Sequence, residues 1–354
     1  MKRKVLVLCP AQEAKGGVSY YYSLIHSNFN SDRLTLDFYY TGRASKKSFK
    51  NSWFLKSLFD TLYLIKTIPS YNLIVLNPSL DPKSIIRDAT YNFIAKRIFA
   101  KKTLILFHGW NKRTEEYIRS RGQVLFRYFF YCDRLLVLAN QFRNVLIEWG
   151  FPPDKIGLET TIYKQFAVKA HKDPSKFIFL SRFAEGKGAL EAIQTIEILA
   201  KEFSGIKLYM VGDGPMAPKL EEYVRNHNLD QVIEFTGWLD GEKKNHLLSQ
   251  CGIMLFPTNY GEGMPLSVIE GMGMGLAIVT RPVAGLADII ADGVNGYLVQ
   301  STEPDAFVVK LAELLKNKKL WENICRNNEE VAMRKFEISA VVKRLEQIYF
   351  ELAQ

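Results

Sequence analysis

Short apolar runs separated by amphipathic stretches recur along the whole chain. In its first half Val5 to Leu8, Leu34 to Tyr40, Leu73 to Leu76, Thr103 to Phe107 and Leu135 to Leu138 read as strands, with helical stretches between them. These runs are nearly continuous in apolar character rather than alternating, the pattern of parallel strands covered on both faces. A polar segment from Lys169 to Ser175, containing Asp173-Pro174, interrupts the series. It restarts with Lys176 to Leu180, Lys207 to Val211, Val232 to Phe235, Gly252 to Phe256 and Ala277 to Thr280, and helical stretches run from Glu303 onward. Two βαβ arrays joined by a linker predict an α/β protein of two doubly wound, Rossmann-like domains facing across a cleft. The expected boundaries are 1–170 for the first domain and 171–335 for the second. Residues 336–354 are expected to form a helix that packs back on the first domain.

The length of 354 residues suits two domains of about 150 to 200 residues each. With 47% hydrophobic and 24% charged residues, the composition is that of a soluble globular protein and excludes disordered and fibrous classes. Cys9, Cys132, Cys251 and Cys325 are scattered with no CxxC pair, which points to a reducing, cytoplasmic setting. Met1-Lys2-Arg3-Lys4 resembles the start of a signal peptide, but the apolar run that follows stops at Pro10 and reads as a first strand. The longest charge-free run, Asn245 to Gly261, contains several polar residues and falls short of the roughly 18 apolar residues a bilayer requires.

Charge changes the picture. Residues 1–170 hold 27 Lys+Arg against 12 Asp+Glu, whereas residues 171–354 hold 20 against 25. One domain is thus suited to an anionic surface that the other avoids. Arg43, Lys46, Lys47 and Lys50 lead into a helical stretch from Ser52 to Lys66. There Leu55, Leu58, Phe59, Leu62 and Ile65 form the expected core-facing stripe, which leaves Trp53, Phe54, Lys56, Tyr63 and Leu64 for another environment. An anionic leaflet is one such environment, and solvation of the cations with the aromatics over neighbouring loops is the other.

Ligands of open α/β sheets bind at the carboxyl ends of the strands, so residues just after each strand carry the most weight. Gly16-Gly17 lies between the first strand and a helix, where backbone N–H groups can approach a phosphate, although a plain turn explains it as well. Ser181-Arg182-Phe183 with Lys187-Gly188 places two cations five residues apart at the entry of the second domain. They could clamp a diphosphate whose charge grows as a bond to it breaks, or be two solvated charges. In the segment Pro257 to Glu270, Glu262 sits in a glycine-rich loop and Glu270 within a helix that starts near Pro265. The loop carboxylate suits a sugar hydroxyl and the helical one a ribose, with the helix N-terminus toward the diphosphate. Crowding of Gly261, Gly263, Gly271, Gly273 and Gly275 requires close packing or a close ligand, since each glycine inside a helix costs about 1 kcal/mol. His108 follows an apolar strand and reads either as a structural histidine or as a group at the reaction centre, neutral or protonated. There is no DxD tripeptide, and His26, His108, His171, His227 and His246 show no ligand spacing, so no metal or other cofactor is expected.

Taken in order, Gly16-Gly17, His108-Gly109, Arg182 with Lys187, Gly212-Asp213-Gly214-Pro215, Phe235-Thr236-Gly237, Glu262 and Glu270, Gly285, and Asp292-Gly293 with Asn295-Gly296 resemble the retaining GT-B glycosyltransferases of family 4 over nearly the whole chain. The resemblance implies that Arg182 and Lys187 hold the donor diphosphate, that Glu270 bonds the ribose, that Glu262 contacts donor sugar hydroxyls and that His108 lies beside the reacting sugar. Backbone groups around Gly17, Gly212 and Met264, Pro265 and Leu266 would complete the donor site. Asp288 stands where many members have Glu, Ser181 where Gly is common, and Gly271 and Gly273 where Ala is frequent. None of these departures removes an assigned charge, but they leave the sugar open.

The expected activity is metal-independent transfer, with retention, of a hexose-type sugar from a nucleotide diphosphate sugar, UDP-sugar favoured, to a saccharide acceptor. The acceptor is expected to be lipid-linked, with the basic domain resting on the inner face of the cell membrane. A soluble small-molecule acceptor is the alternative. A non-catalytic binder of an anionic polymer would leave the phosphate and ribose residues without a task, and no nucleic-acid module is present.

Overall fold

The computed structural model describes residues 2–14, 16–41, 53–165, 172–261 and 263–354, with 53–57 given by backbone alone. They form two compact units, Met1–Ile162 with Ile338–Gln354, and Tyr163–Glu337. Both are Rossmann-like α/β units with parallel sheets.

The first unit contains β1 (Arg3–Cys9), β2 (Leu34–Tyr40), β3 (Leu73–Leu76), β4 (Ser79–Leu80), β5 (Lys102–Phe107), β6 (Gly109–Trp110), β7 (Arg134–Val137) and β8 (Ile156–Leu158). Six of them make one all-parallel sheet in the order β2-β1-β3-β5-β7-β8, and β4 pairs with β6 in a short parallel ribbon. Val5–Cys9 and Leu73–Leu76 are fully buried, so the apolar runs are continuous because helices cover both faces of the sheet. Strand order reverses between β1 and β3, the switch point at which ligands of such sheets bind. The chain's last helix, Ile338–Ala353, buries Ile338, Val341, Leu345 and Tyr349 at helical spacing against the helix Gly17–Asn28 and strands β1, β3 and β5. Arg344 ties it down by donating to the buried Glu159 carboxylate at 2.7 Å and to Thr160 Oγ1 at 2.6 Å.

The helix Trp53–Thr67 corrects the expected stripe. Leu58, Phe59, Leu62 and Ile65 are 47, 62, 52 and 39% exposed, while Asp60 and Leu64 are 4 and 0% exposed. Its apolar residues spread around more than one face, so periodicity alone left the orientation undecided. Hydrogen bonds decide it, because the buried Asp60 carboxylate accepts from Tyr39 Oη at 2.7 Å and Tyr91 Oη at 3.4 Å. Tyr63 stacks on Tyr39 with ring centroids 4.6 Å apart. Arg43, Lys46, Lys47, Lys50 and the side chains of Trp53, Phe54, Leu55 and Lys56 lie outside the described residues.

The second unit contains β9 (Asp173–Leu180), β10 (Lys207–Val211), β11 (Ile233–Gly237), β12 (Cys251–Phe256), β13 (Ala277–Thr280) and β14 (Gly296–Leu298), parallel throughout in the order β11-β10-β9-β12-β13-β14. Here the order reverses between β9 and β12. Strand β9 begins inside the polar segment read as linker. Pro174 is tolerated there because it precedes the regular ladder: the β9–β12 register shifts between Cys251 and Ile253. Gly252 allows the approach, since a Cβ on it would lie 2.6 Å from the Asp173 carbonyl oxygen. Strands β8 and β14, three residues each at sheet edges, are too short to show a period.

Gly271 and Gly273, in the helix Leu266–Gly273, have a packing reason. A Cβ would stand 2.8 Å from Met254 Cε at the first and 2.3 Å from the Tyr163 ring at the second.

Candidate functional site

Each unit gathers candidate residues at its own switch point, and the two groups are described separately.

In the second unit, Ser181–Gly188 follows β9 and Pro257–Tyr260 follows β12, the two strands that flank the reversal. The loops are knit by backbone: Asn259 N donates to Gly186 O at 2.8 Å and Thr258 Oγ1 to the same oxygen at 3.2 Å. Gly188, at φ +85°, passes against Pro257, whose carbonyl lies 2.5 Å from where a Cβ would sit. The loop after β10 closes the other side. Gly212, at φ +144°, admits no side chain because a Cβ would meet the Ser181 carbonyl oxygen at 1.9 Å, and its N–H already donates to Gly237 O at 3.0 Å. Phe183 N in turn donates to Asp213 O at 2.9 Å.

This framework holds Lys187 with only 6% of its surface exposed and its Nζ 4.0 Å from the centre of the Tyr260 ring. Burial, reinforced by the nearby Arg182 guanidinium, pushes the ammonium down to about 8. Arg182 itself is exposed. Two neighbouring cations, one of them desolvated, raise each other's energy, an arrangement suited to a diphosphate.

The helix Leu266–Gly273 starts at Pro265, whose carbonyl accepts from Val268 N at 3.1 Å and Ile269 N at 3.3 Å. Its first-turn donors at Leu266 and Ser267 have no partner within the helix, the usual anion-binding arrangement. One turn on, Glu270 is 5% exposed and accepts from Lys244 Nζ through both carboxylate oxygens at 2.7 Å. Burial raises its carboxyl above the ordinary range against the opposing pull of Lys244. A carboxylate offers about four acceptor positions, so two remain for hydroxyl donors. Glu262 lies outside the described residues.

In the first unit, β1 leads to Gly16-Gly17, where the helix Gly17–Asn28 begins. Gly16 has extended backbone, and a Cβ at either glycine would meet nothing within 4 Å. Neither backbone strain nor packing therefore accounts for the pair. His108 follows β5, half-buried, with Nε2 3.1 Å from Asn77 Oδ1 and with the rings of Tyr21 and Tyr22 edge-on at 5.0 and 5.9 Å. Burial pushes the imidazole down to about 3, so it is neutral at physiological pH.

Sequence reasoning did not single out Asn77, Tyr22, Tyr260 or Lys244. Asn77 had a signal, since it directly follows β3. Lys244 had none, standing in the polar run Gly241-Glu242-Lys243-Lys244. Among the described residues no three His, Cys, Asp or Glu side chains converge as metal ligands, and no helix is long and apolar enough to cross a membrane.

Residues 162–331 match the family model for glycosyl transferases group 1. The chain is 26% identical over 243 residues to WcaL of Salmonella typhimurium, provisionally named a colanic acid biosynthesis glycosyltransferase, covering 65% of this chain and 60% of that protein. It is 23% identical over 228 residues to the amylovoran biosynthesis glycosyltransferase AmsK of Erwinia amylovora, covering 62% and 56%. These matches support a GT-B glycosyltransferase. Each spans less than two thirds of the relative's length. Among solved structures, Anabaena Alr3699/HepE in complex with UDP superimposes with a TM-score of 0.77 at 14% identity, over 99% of this chain and all of that one. The lipopolysaccharide outer core galactosyltransferase WaaB superimposes with a TM-score of 0.71 at 16% identity, over 99% of both. At such identities the likeness establishes the GT-B fold.

Proposed function

We propose that the chain is a retaining glycosyltransferase that moves a hexose-type sugar from a nucleotide diphosphate sugar to a saccharide acceptor in cell-surface polysaccharide or glycolipid synthesis, without a metal ion. The observation that carries this reading is Lys187, a buried cation beside Arg182 at the switch point of the second unit. In this reading the two cations and the first turn of Leu266–Gly273 take the diphosphate, Glu270 takes the ribose, and Glu262 takes sugar hydroxyls. Gly16-Gly17 and a neutral His108 are the proposed functional groups of the first unit. The bond to the leaving diphosphate breaks with its electron pair, the anomeric carbon gains oxocarbenium character, and the acceptor hydroxyl arrives on the same face. UDP is the favoured carrier, in keeping with the nucleotide in the Anabaena complex. The WcaL, AmsK and WaaB names favour a polysaccharide or lipopolysaccharide acceptor.

Uridine diphosphate is expected to raise the melting temperature, because a ligand that binds only the folded chain stabilises it. Its affinity carries the signature of Lys187. Above pH 7.5 the terminal phosphate, with a pKa of about 6, no longer titrates. The ammonium, pushed down to about 8, still does. The bound anion favours the protonated lysine, so affinity is full below pH 8 and falls by up to about tenfold per unit above it. Titration calorimetry from pH 7.5 to 10 checks this, with Lys187→Met expected to bind more weakly and with a flat profile. Equal slopes in the two proteins would remove Lys187 from the phosphate site.

We extend the proposal to a lipid-linked acceptor reached at an anionic leaflet. The support is the exposed row Leu58, Phe59, Leu62 and Ile65 on a basic unit. Burying such a row in the interface while each nearby cation adds about 1 kcal/mol gives reversible docking. The chain is expected to float with vesicles containing anionic lipid at physiological salt, and Phe59→Asp with Leu62→Asp is expected to abolish flotation. Equal recovery with and without anionic lipid would leave a soluble acceptor.

A further inference from the structure

Asn77 is a buried amide with a fully specified set of partners. Its Nδ2 donates to the Leu8 carbonyl oxygen at 2.9 Å, and its Oδ1 accepts from Tyr22 Oη at 2.5 Å. Exchanging the amide's O and N would press Oδ1 against the Leu8 oxygen with no proton between them, so the carbonyl of β1 fixes which end faces the histidine. That end is the oxygen, 3.1 Å from His108 Nε2. An oxygen that only accepts requires a proton on Nε2. The imidazole is neutral, so Nδ1 carries the lone pair. No described residue bonds to Nδ1, and the ring keeps part of its surface open.

We propose that Asn77 is a positioning residue which, held by Leu8 and Tyr22, locks His108 as its Nε2–H tautomer and so presents Nδ1 as a hydrogen-bond acceptor to a hydroxyl of the bound sugar. The tautomer part stands on the first unit alone, and only the identity of the hydroxyl rests on the glycosyltransferase reading. Three strands cooperate in it: β1 supplies the carbonyl, β3 ends at Asn77 and β5 ends at His108. Tyr21 and Tyr22, on the helix that starts at Gly17, bracket the ring edge-on. The lock also fixes the direction of the contact. The histidine accepts from the sugar and does not donate to the departing phosphate.

Long-range proton–nitrogen correlation on the full-length chain with labelled imidazole tests the lock directly. His108 is expected to show a pyrrole-type Nε2 and a pyridine-type Nδ1 at pH 7. In Asn77→Leu the two forms are expected to mix. Tyr22→Phe removes the Tyr22 donor but leaves the Leu8 and His108 contacts of Asn77 in place and is expected to keep the tautomer, which provides a folded variant if Asn77→Leu does not fold. A pyrrole-type Nδ1 in the wild type, or an unchanged pattern in Asn77→Leu, overturns the proposal. With UDP-sugar as donor, kcat/KM is expected to fall about tenfold in Asn77→Leu, the effect of one hydrogen bond. Unchanged kcat/KM alongside the expected spectra would overturn the sugar contact. Failure of the chain to bind any nucleoside diphosphate would overturn the glycosyltransferase reading while the spectra still decide the lock.

Discussion

Arg182→Ala is expected to lower turnover of the donor by 100 to 1000-fold, by about the factor lost when one preorganised donor to a developing oxyanion is removed. The reason lies in its surroundings. Arg182 is the first charged residue after β9, at the reversal of strand order, and no described side chain neutralises its guanidinium. Its only described electrostatic partner is a like charge, since it helps to depress Lys187. A surface arginine of that kind contributes nothing to the fold, and substitution away from packed features changes stability by less than about 0.5 kcal/mol. The melting temperature of Arg182→Ala is thus expected to stay near wild type while steady-state kcat with a UDP-sugar falls. Loss of charge repulsion adds a second readout, because Lys187 is expected to titrate above 8 in the variant and the pH profile of diphosphate affinity to shift upward with it. Unchanged turnover would remove Arg182 from the diphosphate and with it half of the proposed clamp.

The positions of these groups were legible in the sequence because parallel α/β sheets restrict them. Continuous apolar runs such as Leu73–Leu76 and Ala277–Thr280 coincide with the strands residue for residue, and the carboxyl end of a strand is where a ligand can reach backbone and side chains together. What escaped depended on contacts distant in sequence. The Asp60 carboxylate turns the helix Trp53–Thr67 inward along a face that looks less apolar than its opposite, and only its partners Tyr39 and Tyr91 reveal why. Asn77 stands 31 residues from His108, and nothing local in either segment couples them. Gly212 read as a ligand-facing glycine. Its neighbours add a packing reason, because the Ser181 carbonyl occupies the space a side chain would need.

Lys244 is the clearest case of a residue invisible in sequence, and removing it has the second large expected effect. Its ammonium is the only described charge that compensates Glu270, bonded to both oxygens at 2.7 Å with the lysine and glutamate side chains 18 and 6% exposed. Lys244→Met leaves a buried carboxylate alone, and breaking such a pair costs about 3 to 5 kcal/mol. The sign with pH follows from the carboxyl. It is already raised in the folded chain by burial, and losing Lys244 raises it further. A group whose folded pKa exceeds the unfolded value of about 4.3 destabilises the fold as pH climbs through that window. The loss in Lys244→Met is therefore expected to be small near pH 4.5 and to grow toward neutrality, the reverse of ordinary acid denaturation. Urea unfolding of the variant and wild type between pH 4.5 and 8 checks the slope. Adding Glu270→Gln to Lys244→Met is expected to restore most of the stability at pH 7 by removing the uncompensated charge, while nucleotide affinity stays low because the carboxylate proposed for the ribose is gone. A double variant as unstable as the single one would mean that Lys244 acts through packing of its methylene chain and not through its charge.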